Sequence, residues 1–232
     1  MEFESFLAQV YMPGETGIAQ RPCLSVLTSV LPSVINNLLQ RGGSFMSTTV
    51  IQKHKIWTYE DYLNLPEDRN IYEVIEGELY MTPAPTPKHQ NVSLNLAYLM
   101  KKYIEDHPIG KIFIAPIDVL LDPKTVVQPD ILFISKNNLA IITDKNIQGP
   151  PDLVIEISSP GTIQKDRILK VRTCAKFGVK HLWLVDPDNQ TLEAFELDKE
   201  TYRLVKCLTG EEGFNPPLFP DLSIPLKELW GK

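Results

Sequence analysis

Hydrophobic and polar positions change period several times along this chain, and each change marks an element. Thr58 and Asp61 are spaced as an N-cap and its capping-box partner and are followed by Tyr62 and Leu65, which predicts a short helix stopped by Pro66. Residues 71–82 alternate around Gly77, the pattern of a hairpin or a bulged strand. From Lys88 to Tyr103 the apolar positions Val92, Leu94, Leu96, Leu99, Met100 and Tyr103 fit a helix better than a strand. Two strands follow, at about 111–115 and 117–121, with Pro116 at the break.

The stretch VVQPDILFIS supplies a strand whose entry is fixed by Pro129. A loop with irregular turns then leads to an apolar strand at 152–157. Pro160-Gly161 breaks the chain, Thr162 is placed to cap a helix running to Phe177, and Gly178 closes it. Residues 179–205 read as three strands, with turns at Pro187-Asp188-Asn189 and Asp198-Lys199-Glu200. There is no internal repeat and no low-complexity tract. This order of elements fits one α/β domain built on a mixed sheet.

The first 45 residues stand apart from that pattern. Cys23 to Leu39 is moderately apolar but interrupted by Ser25, Thr28, Ser29, Pro32, Ser33, Asn36 and Asn37. That is too polar for a membrane span and too far from Met1 for an ordinary signal peptide. After Arg41-Gly42-Gly43, the run from Met46 reads like a protein start. Residues 1–45 are therefore expected to be a dispensable extension and 46–232 the domain. A helix that docks on the domain is the alternative.

Composition narrows the class. A hydrophobic content of 43% is ample for a packed core. The net charge of −6 argues against a general nucleic-acid coat protein without excluding a nuclease, since local basic patches steer polyanions on acidic proteins too. Cys23, Cys174 and Cys207 are odd in number and lack a CxxC pair. They read as reduced thiols of a cytoplasmic protein, with neither a zinc nor a disulfide framework.

The candidate chemistry lies in the acids. Side chains alternate along a strand, so Val154, Glu156 and Ser158 share one face of the 152–157 strand. If it pairs antiparallel with strand 131–134, Asp130 comes close to Glu156. Two adjacent buried carboxylates repel unless a cation sits between them. A hard divalent ion such as Mg²⁺ or Mn²⁺, keeping several waters, suits such a pair, lowers the pKa of a bound water and polarises a phosphate or carbonyl. The plainer alternative is that Asp130 caps a turn after Pro129 while Glu156 pairs with a helix lysine. Just beyond lies a basic run, Lys165, Arg167, Lys170, Arg172 and Lys176 with Lys180 following, opposed only by Asp166. Most of it reads as a solvated face, with Asp166 and Lys170 as a surface pair. In its first turns a lysine is placed to reach a substrate phosphate or the attacking water.

Here the residues carry a resemblance. Pro129-Asp130 followed by Glu156-Ile157-Ser158 resembles a variant of the PD-(D/E)xK motif of restriction-endonuclease-like proteins. The ordered blocks YEVIEGELYMTP, His89, QPDILFIS, PPDLVIEISSPGT, KDRILK and GVKHLWLVDP resemble the Uma-two family of endonucleases, from about residue 56 to 197. The resemblance implies an α/β restriction-endonuclease-like fold, a mixed central sheet flanked by helices, and Mg²⁺- or Mn²⁺-dependent hydrolysis of DNA. It implies Asp130 and Glu156 as metal ligands. The superfamily lysine two residues after the glutamate is replaced by Ser158, and Lys170 matches the family's helix lysine, with Lys165 the runner-up. Glu73 and His89 also match family positions, Glu73 as an extra acidic ligand and His89 as a contact to phosphate or a bound water. Their plain alternatives are an exposed strand acid and a histidine at a helix start. Cys174 stands where the family often has tyrosine, and His181-Leu182 where an acid–aromatic pair is usual. A homodimer is the assembly expected by analogy with this fold, with no membrane partner.

Other chemistries fit less well. Ser158-Ser159-Pro160 lacks the GxSxG elbow of serine hydrolases. A glycosidase would also use paired carboxylates, but nothing here suggests an aromatic-lined sugar cleft. Clustered His or Cys ligands for zinc are missing. The rival reading is a nuclease-fold protein that binds DNA or a protein partner without cutting.

Overall fold

The computed structural model describes residues 55–68, 70–158 and 165–231, with the backbone alone at 165–167. The expected boundary at Met46, the extension before it, and the proposed cap at Thr162 lie outside the described residues. Three α-helices are described: α1 (Tyr59–Tyr62), α2 (Pro87–Asp106) and α3 (Lys165–Lys176). The strands are β1 (Ile71–Ile75), β2 (Glu78–Thr82), β3 (Gly110–Ile114), β4 (Val119–Asp122), β5 (Thr125–Val127), β6 (Ile131–Ser135), β7 (Ile147–Gln148) and β8 (Leu153–Ile157). They continue with β9 (His181–Asp186), β10 (Thr191–Asp198), β11 (Thr201–Thr209), β12 (Gly213–Phe214) and β13 (Ile224–Pro225).

Local signals act as expected at several points. The Thr58 hydroxyl accepts from Asp61 N–H, and the Asp61 carboxylate accepts from Thr58 N–H at 3.0 Å, closing the capping box of α1. β1 and β2 form a hairpin whose two turn residues, Glu76 and Gly77, both have positive φ (53° and 83°). That backbone matches the twist of the flanking strands. Along α2 the buried positions His89, Val92, Leu96, Met100 and Tyr103 recur every three to four residues. Leu94, counted in the apolar pattern, is exposed, because it falls outside that stripe.

The strands form a six-stranded sheet, ordered β11-β10-β9-β8-β6-β3, a five-stranded sheet, ordered β2-β1-β5-β4-β7, and the small pair β12–β13. The larger sheet is mixed: β6 runs antiparallel to β8, and β8 parallel to β9. One mixed sheet was expected, and the second is the difference. VVQPDILFIS supplies β6 just after Pro129, as expected, but its first two residues, Val126 and Val127, end β5 of the second sheet. A three-residue strand is too short to show a period. The strands either side of Pro116 likewise separate, β3 into the six-stranded sheet and β4 into the five-stranded one.

Alternation sorts the core into layers. Ile131, Phe133, Leu153, Ile155 and Ile157 face α2 and the C-terminal residues Phe214, Phe219 and Ile224. Val154, Leu182 and Leu184 face Val171, Cys174 and Ala175 of α3. Leu132 and Ile134 pack with Ile75, Val119, Val127 and Ile147 of the second sheet. Cys174 is a free, buried thiol. Among the described residues no helix is long and apolar enough to cross a membrane.

The start of the central strand β8 is anchored by Asp152, which is buried. Its carboxylate accepts from Ser135 N–H (2.8 Å), the Asn138 amide (3.2 Å) and Lys180 Nζ (3.1 Å). Burial works to raise its pKa, but the Ser135 N–H, Lys180 and Asn138 outweigh burial and hold the acid below its ordinary value. Asp152→Ala would strand a buried N–H, so urea unfolding should show a loss of about 1–3 kcal/mol.

Candidate active site

The register of β6 and β8 builds the first half of the site. Ile131 pairs with Ile155 and Leu132 with Val154, so continuing one residue sets Asp130 opposite Glu156. The two acids meet at the end of the sheet, on the face turned to α3 and the second sheet. Asp130 does more than cap a turn. Its Oδ2 accepts from Ile157 N–H at 2.7 Å, which fixes it to the strand that carries Glu156.

The second sheet brings a third acid. Glu73 lies on β1 two residues before the buried Ile75, so both side chains face inward. Glu73 is buried, not the exposed strand acid of the plain alternative, and its Oε1 accepts from Gln128 N–H at 2.9 Å. Lys170, from α3, lies between the acids. Its Nζ is 2.9 Å from Glu156 Oε2 and 3.4 Å from Glu73 Oε1. The lysine side chain is only 21% exposed, so this is no surface pair. The contact belongs to the plain alternative for Glu156, and it exists together with the acid cluster.

His89 sits in the first turn of α2, where the Thr86 hydroxyl accepts from its backbone N–H at 3.3 Å. Its ring is 7% exposed and Nε2 lies 3.2 Å from Asp130 Oδ2. Glu73, His89, Asp130, Glu156 and Lys170 are thus brought together from five separate elements or links. The side chain of Lys165, the alternative lysine, lies outside the described residues. Cys174 lies on the buried face of α3, and burial, reinforced by Glu156 and Glu73 and opposed by Lys170, pushes its thiol up. His181 pairs across from Leu153, at the far end of β8 from Glu156, so the departure there leaves this cluster untouched.

Three residues join the surroundings without having been singled out from the sequence. The Gln128 side-chain amide donates to the Tyr62 hydroxyl and to Asp118 Oδ1, both at 2.8 Å, and Tyr62 donates to Asp118 Oδ1 at 2.6 Å. This network holds the backbone whose N–H grips Glu73. Gln128 directly precedes the Pro129-Asp130 pair, and that adjacency was its one sequence signal. Tyr62 and Asp118 gave none, because only the fold brings them near.

The electrostatics follow from two carboxylates, Glu73 and Glu156, sharing one ammonium, with Asp130 close by. Burial, opposed by Lys170 and reinforced by Asp130 and Glu73, pushes the Glu156 carboxyl up to about 8. Burial works against the Lys170 charge, but Glu156, then Glu73 and Asp130, outweigh it and hold the pKa well above the ordinary lysine value. Lys170 is thereby held as a charged donor to Glu156. The oxygens of Asp130 and Glu156 are the hard donors that a divalent ion retaining its waters takes. Among the described residues, no group of three or more His, Cys, Asp or Glu side chains is arranged to hold a metal ion.

Comparison with known proteins agrees with this architecture. The model of the Uma2 family, described as "Putative restriction endonuclease", matches residues 59–227. Among solved structures, the chain is similar to one described as a putative nuclease belonging to DUF820 from Anabaena variabilis ATCC 29413. The two share 24% identity with a TM-score of 0.62, over 75% of this chain and 97% of that one. At that identity the likeness speaks for the fold, which is the restriction-endonuclease-like α/β class expected from the sequence. No curated protein matches the chain.

The raised Glu156 carboxyl has a signed consequence for stability. Its folded value lies above the ordinary 4.5, so between about 4.5 and 8 the native state holds a proton that the unfolded state has released. Stability contributed here falls as pH rises through that window, by at most about 1.4 kcal/mol per pH unit. Thermal melts across the window should show this fall in the wild type and a flatter profile in Glu156→Gln. Parallel profiles would exclude Glu156 as its source.

Proposed function

The chain belongs to the Uma2 family, and from that premise we propose that it is a metal-dependent endonuclease hydrolysing DNA phosphodiester bonds. The observation that carries this reading is the buried pair Glu73 and Glu156 on either side of Lys170, with Asp130 opposite Glu156 across the β6–β8 pairing. Three acids and one ammonium leave an excess of negative charge when all are ionised, and a divalent cation relieves it. Asp130 and Glu156 would hold Mg²⁺ or Mn²⁺, with Glu73 as an additional acidic ligand. Such an ion needs only one or two protein carboxylates when it keeps its waters, so the want of a three-ligand cage does not count against the fit. When bound, it supplies Lewis acidity and a water of lowered pKa.

The chain's own residues do the rest. Asp130, tied to Ile157 N–H, presents a carboxylate at a fixed place. Lys170 stays charged, so it can stabilise the negative charge that grows on the phosphate in the transition state. Glu156 and Glu73 hold its side chain oriented before a phosphate arrives.

The rival reading, a nuclease-fold protein that binds DNA or a protein without cutting, draws on one observation. The Lys170 ammonium already lies between Glu73 and Glu156, where it balances part of their charge without a metal. Plasmid DNA titrated with Mg²⁺ or Mn²⁺ separates the two readings. Cleavage by the wild type that Asp130→Ala abolishes supports the enzyme, whereas DNA binding without cutting at any metal concentration supports the rival.

Lys170→Ala, with its fold checked by circular dichroism, should lose cleavage by roughly 10²–10³, the scale of a lost transition-state donor. Lys176 is exposed and pairs with Glu76, so Lys176→Ala should cut at close to the wild-type rate. Equal rates for wild type and Lys170→Ala would remove the lysine from the chemistry.

A further inference from the structure

We propose that His89 is a positioning residue that aims Asp130 at the metal, a role that rests on the metal reading above. Three observations meet on it. Nε2 lies 3.2 Å from Asp130 Oδ2, and that same oxygen accepts from Ile157 N–H at 2.7 Å. The ring is buried, with 7% exposure. Its other nitrogen, Nδ1, has no hydrogen-bond partner.

A carboxylate oxygen has two lone-pair sites. With the proton on Nε2, His89 and the Ile157 N–H together fill both sites of Oδ2. No hydrogen bond to Oδ1 is present among the described residues, so Oδ1 is the oxygen left for a cation. The two donors lie on different layers, α2 on one side and β8 on the other, and together they stop rotation of the carboxylate. Partners of this kind orient metal-binding carboxylates, whose own hydrogen bonds decide where their remaining lone pairs point.

The orphaned Nδ1 is the independent sign. A buried polar atom without a partner carries a desolvation penalty, and an aliphatic side chain would fill this place in the first turn of α2 without it. What the imidazole adds there is its bond to Asp130. Burial also keeps the ring from solvent, which argues for action through Asp130 in place of direct contact with a DNA phosphate.

The test reads metal affinity and tautomer, neither of which needs turnover. In calorimetry with Mn²⁺ alone, His89→Leu should bind about 10–100-fold more weakly than the wild type. His89→Gln, whose amide nitrogen can stand in for Nε2, should recover most of that loss. In metal-free wild type, long-range ¹H–¹⁵N spectra should find the His89 proton on Nε2. Equal Mn²⁺ affinity for wild type and His89→Leu overturns the role while leaving the metal reading intact. A proton on Nδ1 alone overturns it even if His89→Leu fails to fold. If the wild type binds no Mn²⁺, the metal reading falls and takes this role with it.

Discussion

A single buried ammonium, that of Lys170, is shared by carboxylates arriving from two different sheets, and the arrangement of the site depends on that sharing. Glu73 comes from β1 and Glu156 from β8, and neither sheet alone could hold its acid buried without a counter-charge. The lysine lets the two layers close on each other. Such a cluster is at best a weak source of stability, since desolvation of the ions offsets their attraction. The apolar packing around it, with Leu132, Ile134, Ile75 and Val127 between the sheets, has to supply what the charges do not.

Around that shared cation the structure divides labour between rigid and chemical parts. The β6–β8 register fixes the relative height of Asp130 and Glu156, because a slip by one residue would turn each to the opposite face. Gln128 does the equivalent for Glu73, through a backbone N–H that is itself held by the Tyr62–Asp118 network. Two of the three acids are thus gripped by main-chain donors, Ile157 N–H for Asp130 and Gln128 N–H for Glu73, while Glu156 is held by the Lys170 side chain. Main-chain donors fixed by a sheet move less than side-chain ones, which suits a site whose geometry must be set before a substrate arrives.

Much of this was legible in the sequence, for identifiable reasons. Thr58 and Asp61, Gly77, and the apolar stripe of α2 carry local signals that tertiary contacts did not override. Alternation put Glu156 on one face of its strand, but the antiparallel pairing that joins it to Asp130 was only a supposition until the β6–β8 register showed it. The second sheet was illegible, because β5 and β7 span only three and two residues and show no period. The role of Gln128 was illegible too, since its three contacts reach back to residues 62, 73 and 118. Burial of His89 was equally hidden: a histidine at a helix start is usually solvated, and only the docking of α2 against the sheet encloses it. The C-terminal residues from Phe214 onward carried no reading at all, although Phe219 and Ile224 turn out to be fully buried.

The link Gln128-Pro129-Asp130 between β5 and β6 has a meaning for how such a chain can vary. It works as a ruler: its first residue grips an acid on one sheet, and its last is the acid on the other. An added residue would leave both sheets able to form, yet would part the two ends of the ruler and scatter the acids. An added residue would do less harm in the exposed Lys199-Glu200 turn between β10 and β11, which touches no acid of the cluster.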